Sequence, residues 1–566
     1  MQHGVFSRLI TNRLLVYARI KQLLIASVIL GLAWLVIDWD TWELQARVVI
    51  TGCILLSGLA GLIWGEIERV RRTHGFRLFP PGTGTLGSRQ AKANERLASM
   101  WELWTWRWKK PAWKGAIRYG RVLPEHRFFG FPPNLRVAGP PGDPRHVITI
   151  AGARSGKGRA MLVPNLLLYE GSTIVVDPKG QLAAITAHVR GNGSARVRKF
   201  LGQDIFIVDP ENIVTSHPVK ASFNPLSIID EHDRESVRYA KIIAETLVPP
   251  TSSSDANAEF FVKQARALLE AAILHVATFE PEASRHLPQV RKLLMQGSDF
   301  DLHIIEDEFA LAGLPAPVDN PIDAFIYMMS RNPAFGGEIQ GVANRLLAAQ
   351  SSQRTDILGE VGNAISFIGT PGIQEFLDGS AGPMFSFQQL RDKATTIYIC
   401  MSNTALQRQE RNLLRMLVEL AAVTLERTPK RKDDWPVLIL MDEFYSLGYL
   451  KSIDVGIGAF AGYGILLWPV VQSVTQLKEH YPKTWENLLA NCRAQQYFGQ
   501  LDPETHKHLS DRLAGLYSPV ELASNIFAME DRRQVVTFAD RPTSMLELTY
   551  YDEIFPSSHY DVDPYL

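Results

Sequence analysis

The chain has 566 residues, with 59 Lys+Arg against 59 Asp+Glu and so no net formal charge; 46% of its residues are hydrophobic and 21% charged. That balance excludes a disordered or collagen-like chain and a uniformly basic nucleic-acid coat, while leaving room for a local basic channel, and the length suits roughly two to four structural units. Three separated cysteines, Cys53, Cys400 and Cys492, argue against a disulfide framework and a zinc cluster and place the bulk of the chain in a reducing compartment.

Two apolar runs come first, QLLIASVILGLAWLVI and VVITGCILLSGLAGLIW. They predict transmembrane helices at about 22–38 and 48–65, near the lower limit of the ~17–25 residues that cross a bilayer. Trp34, Trp39, Trp42 and Trp64 lie near the run ends, where indoles favour the membrane interface. Arg8, Arg13, Arg19 and Lys21 precede the first run, Arg69, Arg71, Arg72 and Arg77 follow the second, and the connection carries Asp38, Asp40 and Glu43. The positive-inside rule then puts both ends in the cytoplasm and makes residues 1–75 a two-span membrane anchor. A cleaved signal peptide is disfavoured because no A-x-A site follows the first run. Two buried core helices would not explain the opposed flanking charges.

Residues 76–145 read as irregular, with Pro/Gly punctuation. Five of the 12 tryptophans crowd this stretch as Trp101, Trp104, Trp106, Trp108 and Trp113, among Arg107, Lys109, Lys110, Lys114 and Arg118. Three readings compete: packing against the rest of the chain or a neighbouring subunit, contact with the cytoplasmic membrane surface, or stacking on single-stranded DNA.

From His146 onward short β-branched runs alternate with helical stretches. Strands are predicted at 146–152, 173–178, 204–210, 396–400, 437–443, 465–473 and 495–499. Continuous apolar runs of this kind suit a parallel sheet covered on both faces. Between Glu231 and Gly379 the pattern is helical. The expected fold class is therefore α/β, with nucleotide-binding parts at 76–230 and 381–566 and an all-α insertion at 231–380.

Ala151-Gly152-Ala153-Arg154-Ser155-Gly156-Lys157-Gly158-Arg159 follows the first of these strands. It approximates the phosphate-binding pattern G-x-x-x-x-G-K-[ST], in which successive backbone N–H groups and a helix start face phosphates. Lys157 would reach the β- and γ-phosphates of ATP. Gly158 removes the usual hydroxyl ligand to Mg²⁺, a gap that water or Ser155 would fill. A Gly/Lys turn without nucleotide is the bland alternative. VLILMDE supplies Asp442 and Glu443 at the carboxyl end of a buried strand. Asp442 would hold Mg²⁺ and Glu443 would polarise the attacking water; the rival is an acidic helix cap. The strands carrying the two motifs are expected side by side, so that both meet at the carboxyl edge of the sheet. Gln472, ending the next strand, would sense the γ-phosphate or position water, or else simply face solvent.

GARSGKGRAMLVPNLL (152–167), IVVDPKG (174–180), FNPLS (223–227), ILMDEFYSLG (439–448), VVQSVTQL (470–477) and FGQLDPET (498–505) together resemble the TraG/TraD family of type IV coupling proteins, in which Gly-Lys-Gly commonly replaces Gly-Lys-Ser/Thr. The resemblance implies a RecA-like P-loop ATPase core with an all-α inserted domain, assembled as a homo-hexameric ring at the cytoplasmic face of the bacterial inner membrane. It implies ATP and Mg²⁺ as cofactors. It also implies that the motor recruits a relaxase-bound DNA strand, an effector protein or both to type IV secretion channel components. On this reading Lys157, Glu443 and Gln472 are catalytic, Asp442 is the metal ligand, and Gly152, Ala153, Arg154, Ser155, Gly156, Lys157, Gly158 and Arg159 bind ATP. The family pattern also sets Asp177 and Lys179 beside the P-loop strand. Arg154, Arg159 and Trp468 depart from the pattern, and the arginine-finger candidates are Arg493 and Arg512. The alternatives are an effector-only secretion ATPase and a nucleotide-binding membrane docking scaffold without substantial turnover, the latter opposed by the intact Lys157, Asp442 and Glu443. A chromosome-partition translocase lacks support, since no winged-helix tail is evident after Phe538.

Overall fold

The computed structural model describes residues 116–122, 136–140, 142–250, 255–298, 302–311, 318, 320–428, 430, 434–513, 517–526 and 532–565. The two expected membrane spans and the segment from Trp101 to Trp113 lie outside them. Among the described residues no helix is long and apolar enough to cross a membrane.

The strands are β1 (Arg118–Val122), β2 (Arg136–Ala138), β3 (His146–Ala151), β4 (Thr173–Val176), β5 (Asp204–Val208), β6 (Thr395–Ile399), β7 (Val437–Met441), β8 (Ile465–Val471), β9 (Cys492–Phe498), β10 (Arg533–Phe538) and β11 (Ser544–Glu547). They form one sheet in the order β2-β1-β11-β10-β9-β3-β8-β7-β4-β6-β5. From β9 to β5 every pairing is parallel. From β9 outward to β2 every pairing is antiparallel. The sheet is thus mixed, and the seven strands read from sequence are its parallel part. In β3, β4, β6, β7, β8 and β9 every residue is buried, as a sheet with helices on both faces requires.

Three expectations change. The stretch 76–145 is not wholly irregular, since it contributes β1 and β2, which pair with each other and through β1 with β11. The strands bearing the two nucleotide motifs, β3 and β7, are not neighbours, because β8 lies between them and pairs with both. The IVVDPKG segment likewise does not lie beside the P-loop strand; β4 pairs with β7 and β6.

Polar groups pin the middle of the sheet. Trp468 of β8 is fully buried, and its indole N–H donates to Thr149 Oγ1 of β3 at 2.9 Å. That hydroxyl in turn donates to Gln496 Oε1 of β9 at 2.7 Å. At the start of β3, His146 Nδ1 accepts from the Leu467 N–H at 3.1 Å and Nε2 donates to the Ile457 carbonyl at 2.7 Å. Burial lowers the pKa of this imidazole, which suits the neutral tautomer that donates from one nitrogen and accepts at the other.

Between β5 and β6 the described residues are largely helical and contain no strand, only an isolated bridge between Ser222 and Met384. The helix Ala256–Phe279 is the axis of this region, with Asp255 capping it by accepting from the Asn257 N–H. The helices Ser236–Leu247, Leu287–Gln296, Glu338–Leu347 and Ser351–Ile365 pack on it. Ser236–Leu247 also packs on the helix Arg411–Arg427, which lies between β6 and β7 in the chain, and so joins the insertion to the α/β part.

One buried cation fastens the turn behind the phosphate loop. Arg190 has no exposed surface. It donates to the carbonyls of Leu166, Tyr169 and Gly171 at 2.7, 2.8 and 2.9 Å. It also donates to Thr173 Oγ1, Gln203 Oε1 and Thr396 Oγ1 at 2.8, 3.0 and 2.7 Å. Each buried carbonyl left without its donor costs roughly 1–3 kcal/mol. Arg190→Met should therefore lower unfolding free energy by about 3–5 kcal/mol in denaturant titration. A loss below about 1 kcal/mol would contradict this role.

Candidate functional site

The loop after β3 is shaped by close backbone approach. The Gly152 N–H donates to the Phe498 carbonyl at 3.3 Å, and a Cβ on Gly152 would fall 1.8 Å from the Gln500 carbonyl oxygen. Only glycine fits there. Arg154 (φ 56°) and Gly156 (φ 78°) both take left-handed backbone, and so reverse the chain within the loop. Helix begins with the Ala160 N–H on the Gly156 carbonyl at 2.8 Å. Its first turn, Gly158–Leu162, is π-helical, with the Val163 N–H on the Gly158 carbonyl, a rare geometry often found at functional positions. A Cβ on Gly158 would meet nothing within 4 Å. The missing hydroxyl there is a chemical difference, with no steric reason behind it.

The acidic pair faces this loop across β8. β7 ends at Met441, the Asp442 N–H donates to the Val176 carbonyl at 3.2 Å, and Glu443 adopts a left-handed backbone (φ 65°, ψ 48°). A non-glycine residue there is uncommon, and such positions cluster at functional sites. Lys157 Nζ lies 2.7 Å from Glu443 Oε1 and 3.2 Å from Asp442 Oδ1. Gln472, one residue beyond β8, donates from Nε2 to Glu443 Oε2 at 3.3 Å, and its own N–H is held by Gln476 Oε1 at 2.9 Å. The strand that separates β3 from β7 thereby supplies the residue between their motifs. Lys157, Asp442, Glu443 and Gln472 meet at one carboxyl edge.

Electrostatics bind this group tightly. Burial pulls the Lys157 ammonium down, but the Asp442 and Glu443 carboxylates outweigh it and hold its pKa above the ordinary lysine value. Burial pushes the Asp442 carboxyl up, against the pull of Lys157 and with the push of Glu443.

Two atoms fit a phosphate and a divalent cation. Ser155 Oγ and Asp442 Oδ1 are buried without a hydrogen-bond partner among the described residues, the latter with its ion pair to Lys157 alone. Mg²⁺ is commonly held by one or two carboxylates plus substrate phosphates. Asp442 facing a phosphate loop is such a donor set, and among the described residues no group of three His, Cys, Asp or Glu offers another.

Other predicted residues fall elsewhere. Arg154 is exposed. Arg159 turns from the acidic pair to Asp552, donating from Nε to Oδ1 at 2.8 Å and from Nη2 to Oδ2. Arg493 is buried at the start of β9, in ion pairs with Asp143 and Asp540. It therefore lies at the edge of the sheet opposite Lys157. Arg512 ends the helix Pro503–Arg512, where its charge acts on Cys492 and Tyr497 of β9. Lys179 is exposed, and its carbonyl accepts from the Tyr565 hydroxyl. Sequence reading missed Tyr550 and Asp552, which contact the loop from almost 400 positions away, a separation that no local pattern bridges.

Asp177 is fully buried, and its Oδ2 accepts from the Ala183 N–H at 2.8 Å, capping the turn into the helix Gln181–Arg190. Burial raises its pKa to about 7, the Ala183 N–H opposing and Asp442 adding to the rise. An unfolded aspartate titrates near ~3.9. Between about pH 4 and 7 the folded chain therefore holds a proton that the unfolded chain has lost, and the Asp177 contribution to stability falls as pH rises through that window. Asp177→Asn removes the dependence. Its melting temperature, set against the parent's, should improve between pH 5 and pH 8; a difference that stays flat with pH contradicts the assignment.

A family model described as type IV secretory system conjugative DNA transfer matches residues 128–525. Protein VirD4 of Rhizobium rhizogenes is 28% identical over 377 residues, covering 65% of this chain and 49% of that protein. Conjugal transfer protein TraG of Escherichia coli is 26% identical over 416 residues, covering 71% of this chain and 58% of that protein. The chain spans about half the length of the VirD4 relatives it matches. Among solved structures, the plasmid coupling protein TrwB in complex with the ATP analogue ADPNP superposes with a TM-score of 0.52 at 17% identity, over 82% of this chain and 95% of that one. TrwB in complex with ADP and Mg²⁺ gives 0.50 at 16%, over 74% and 88%. These likenesses show a shared α/β fold with a mixed sheet. With the family match running over most of its length, the chain belongs to the type IV coupling proteins of conjugative DNA transfer.

Proposed function

We propose that the chain is a membrane-anchored, Mg²⁺-dependent ATPase that recruits a substrate to a type IV secretion channel and couples hydrolysis to its transfer. The observation that carries the reading is the convergence of Lys157, Asp442, Glu443 and Gln472, from β3, β7 and β8, at one edge. On this reading the sheet is a RecA-like core and the helices between β5 and β6 are its all-α insertion. The apolar segments near 22–38 and 48–65 hold the chain in the bacterial inner membrane as a multi-pass anchor, with its bulk in the cytoplasm. The family resemblance supports a homo-hexamer, and a relaxase–DNA complex, an effector protein or both as cargo.

The chain's own groups divide the work. The loop N–H groups and the helix start hold phosphate oxygens. Lys157 leaves the carboxylates for the β- and γ-phosphates, and its departure frees Glu443 to accept a proton from water. Gln472, already bonded to Glu443, keeps that carboxylate oriented. Asp442 would hold Mg²⁺, which when bound neutralises charge on the phosphate oxygens.

Lys157→Ala should abolish nucleotide binding and substrate transfer; full transfer by a variant present at normal levels would remove the motor assignment. Glu443→Gln keeps the shape but not the basicity. ATP affinity should persist while phosphate release falls roughly a hundredfold or more, the scale of lost general-base assistance. Near-parent turnover would place the base on another residue.

A further inference from the structure

Lys157, Asp442 and Glu443 fix one end of the site on the β8–β7 side of β3. A nucleotide with its terminal phosphate there and its chain along the loop has its other end on the β9 side. The antiparallel flank makes a wall on that side. Gln534 of β10 registers with Phe498 of β9, and Arg533 with Glu547 of β11, so the end of β9, the start of β10 and the end of β11 share the edge that carries the loop. A cavity of about 270 Å³ opens between this wall and the loop, lined among others by Arg154, Arg159, Gln500, Arg532, Leu548 and Tyr550.

Its chemistry is that of a stacking surface. The Tyr550 ring lies against the loop, 3.4 Å from where a Gly156 Cβ would be. The guanidinium carbons of Arg159 and Arg532 each sit 4.2 Å from its centroid. Both charges are already answered by the same short segment, Arg159 by Asp552 and Arg532 by Glu553 at 2.5 Å. Neither charge depends on a phosphate for its partner, and both side chains line the cavity beside the ring. An aromatic ring with cationic planes beside an apolar Leu548 suits a nucleobase, since every base presents a π face.

We propose that this cavity is the nucleoside half of the site, taking the base and ribose, with Tyr550 and the guanidiniums stacked on it as the base platform. The assignment rests on the nucleotide reading above and extends it to the last strand pair and the segment after it, which otherwise have no part in the chemistry. Tyr550, Arg159 and Arg532 act here as binding residues, apart from the phosphate chemistry at Lys157.

The test compares two probes on the full chain, ATP and inorganic tripolyphosphate, by equilibrium competition. The parent should bind both, ATP more tightly. Tyr550→Ala and the bulk-retaining Tyr550→Leu should each weaken ATP roughly tenfold, the scale of one lost base stack, and leave tripolyphosphate unchanged. Unchanged tripolyphosphate binding also shows that the loop is folded in these variants. Tyr550→Phe should match the parent. ATP affinity untouched in both ring-deleting variants, or equal losses for both probes, overturns the base platform while the phosphate site stands. A parent that binds neither probe overturns the nucleotide reading itself, and the platform with it.

Discussion

Lys157 sits between two carboxylates, 2.7 Å from Glu443 and 3.2 Å from Asp442, with all three side chains largely shielded from water. Charges withdrawn from solvent are costly unless paired, and removing one member of such a group strands the others. The arrangement therefore holds an ammonium ready for a polyanion and keeps the acids from repelling one another until one arrives. In the proposed mechanism, a phosphate that takes the ammonium leaves Glu443 as a base with Gln472 still bonded to it. In that mechanism, site charge, loop shape and strand order all serve this one exchange.

The sheet makes the exchange geometrically possible. Parallel strands end at one edge, and β8 between β3 and β7 sets the gap across which Lys157 reaches the acids. The Trp468–Thr149–Gln496 chain of hydrogen bonds fixes β8, β3 and β9 against sliding, and a one-residue slip would turn every side chain to the other face. Gly152 fits because its backbone must pass the Gln500 carbonyl. Arg190 holds the turn behind the loop by bonds to three carbonyls that no strand ladder supplies.

The parallel half of the fold was legible because strands buried on both faces must be continuously apolar, as HVITIA, TIVV and VLILM are. The flank was not. RYGRV, RVA and SMLE are short and mix polar with apolar residues, as antiparallel strands near a sheet edge can. Sheet order was illegible for a different reason. Chain order says nothing about which later strand inserts between two earlier partners, so β3 and β7 were read as neighbours when β8 divides them. At the site, Lys157, Asp442, Glu443 and Gln472 were readable from motif spacing. The partners of Arg159 and the place of Asp177 were set by tertiary contacts across hundreds of residues or across two strands.

The most direct test is a structure of the full chain with a non-hydrolysable ATP analogue and Mg²⁺. The account predicts Lys157 Nζ on the β- and γ-phosphate oxygens and no longer within hydrogen-bond reach of Glu443, with Asp442 facing the cation. Lys157 still paired to Glu443 beside a bound analogue, or the analogue seated away from the Gly152–Arg159 loop, would contradict it.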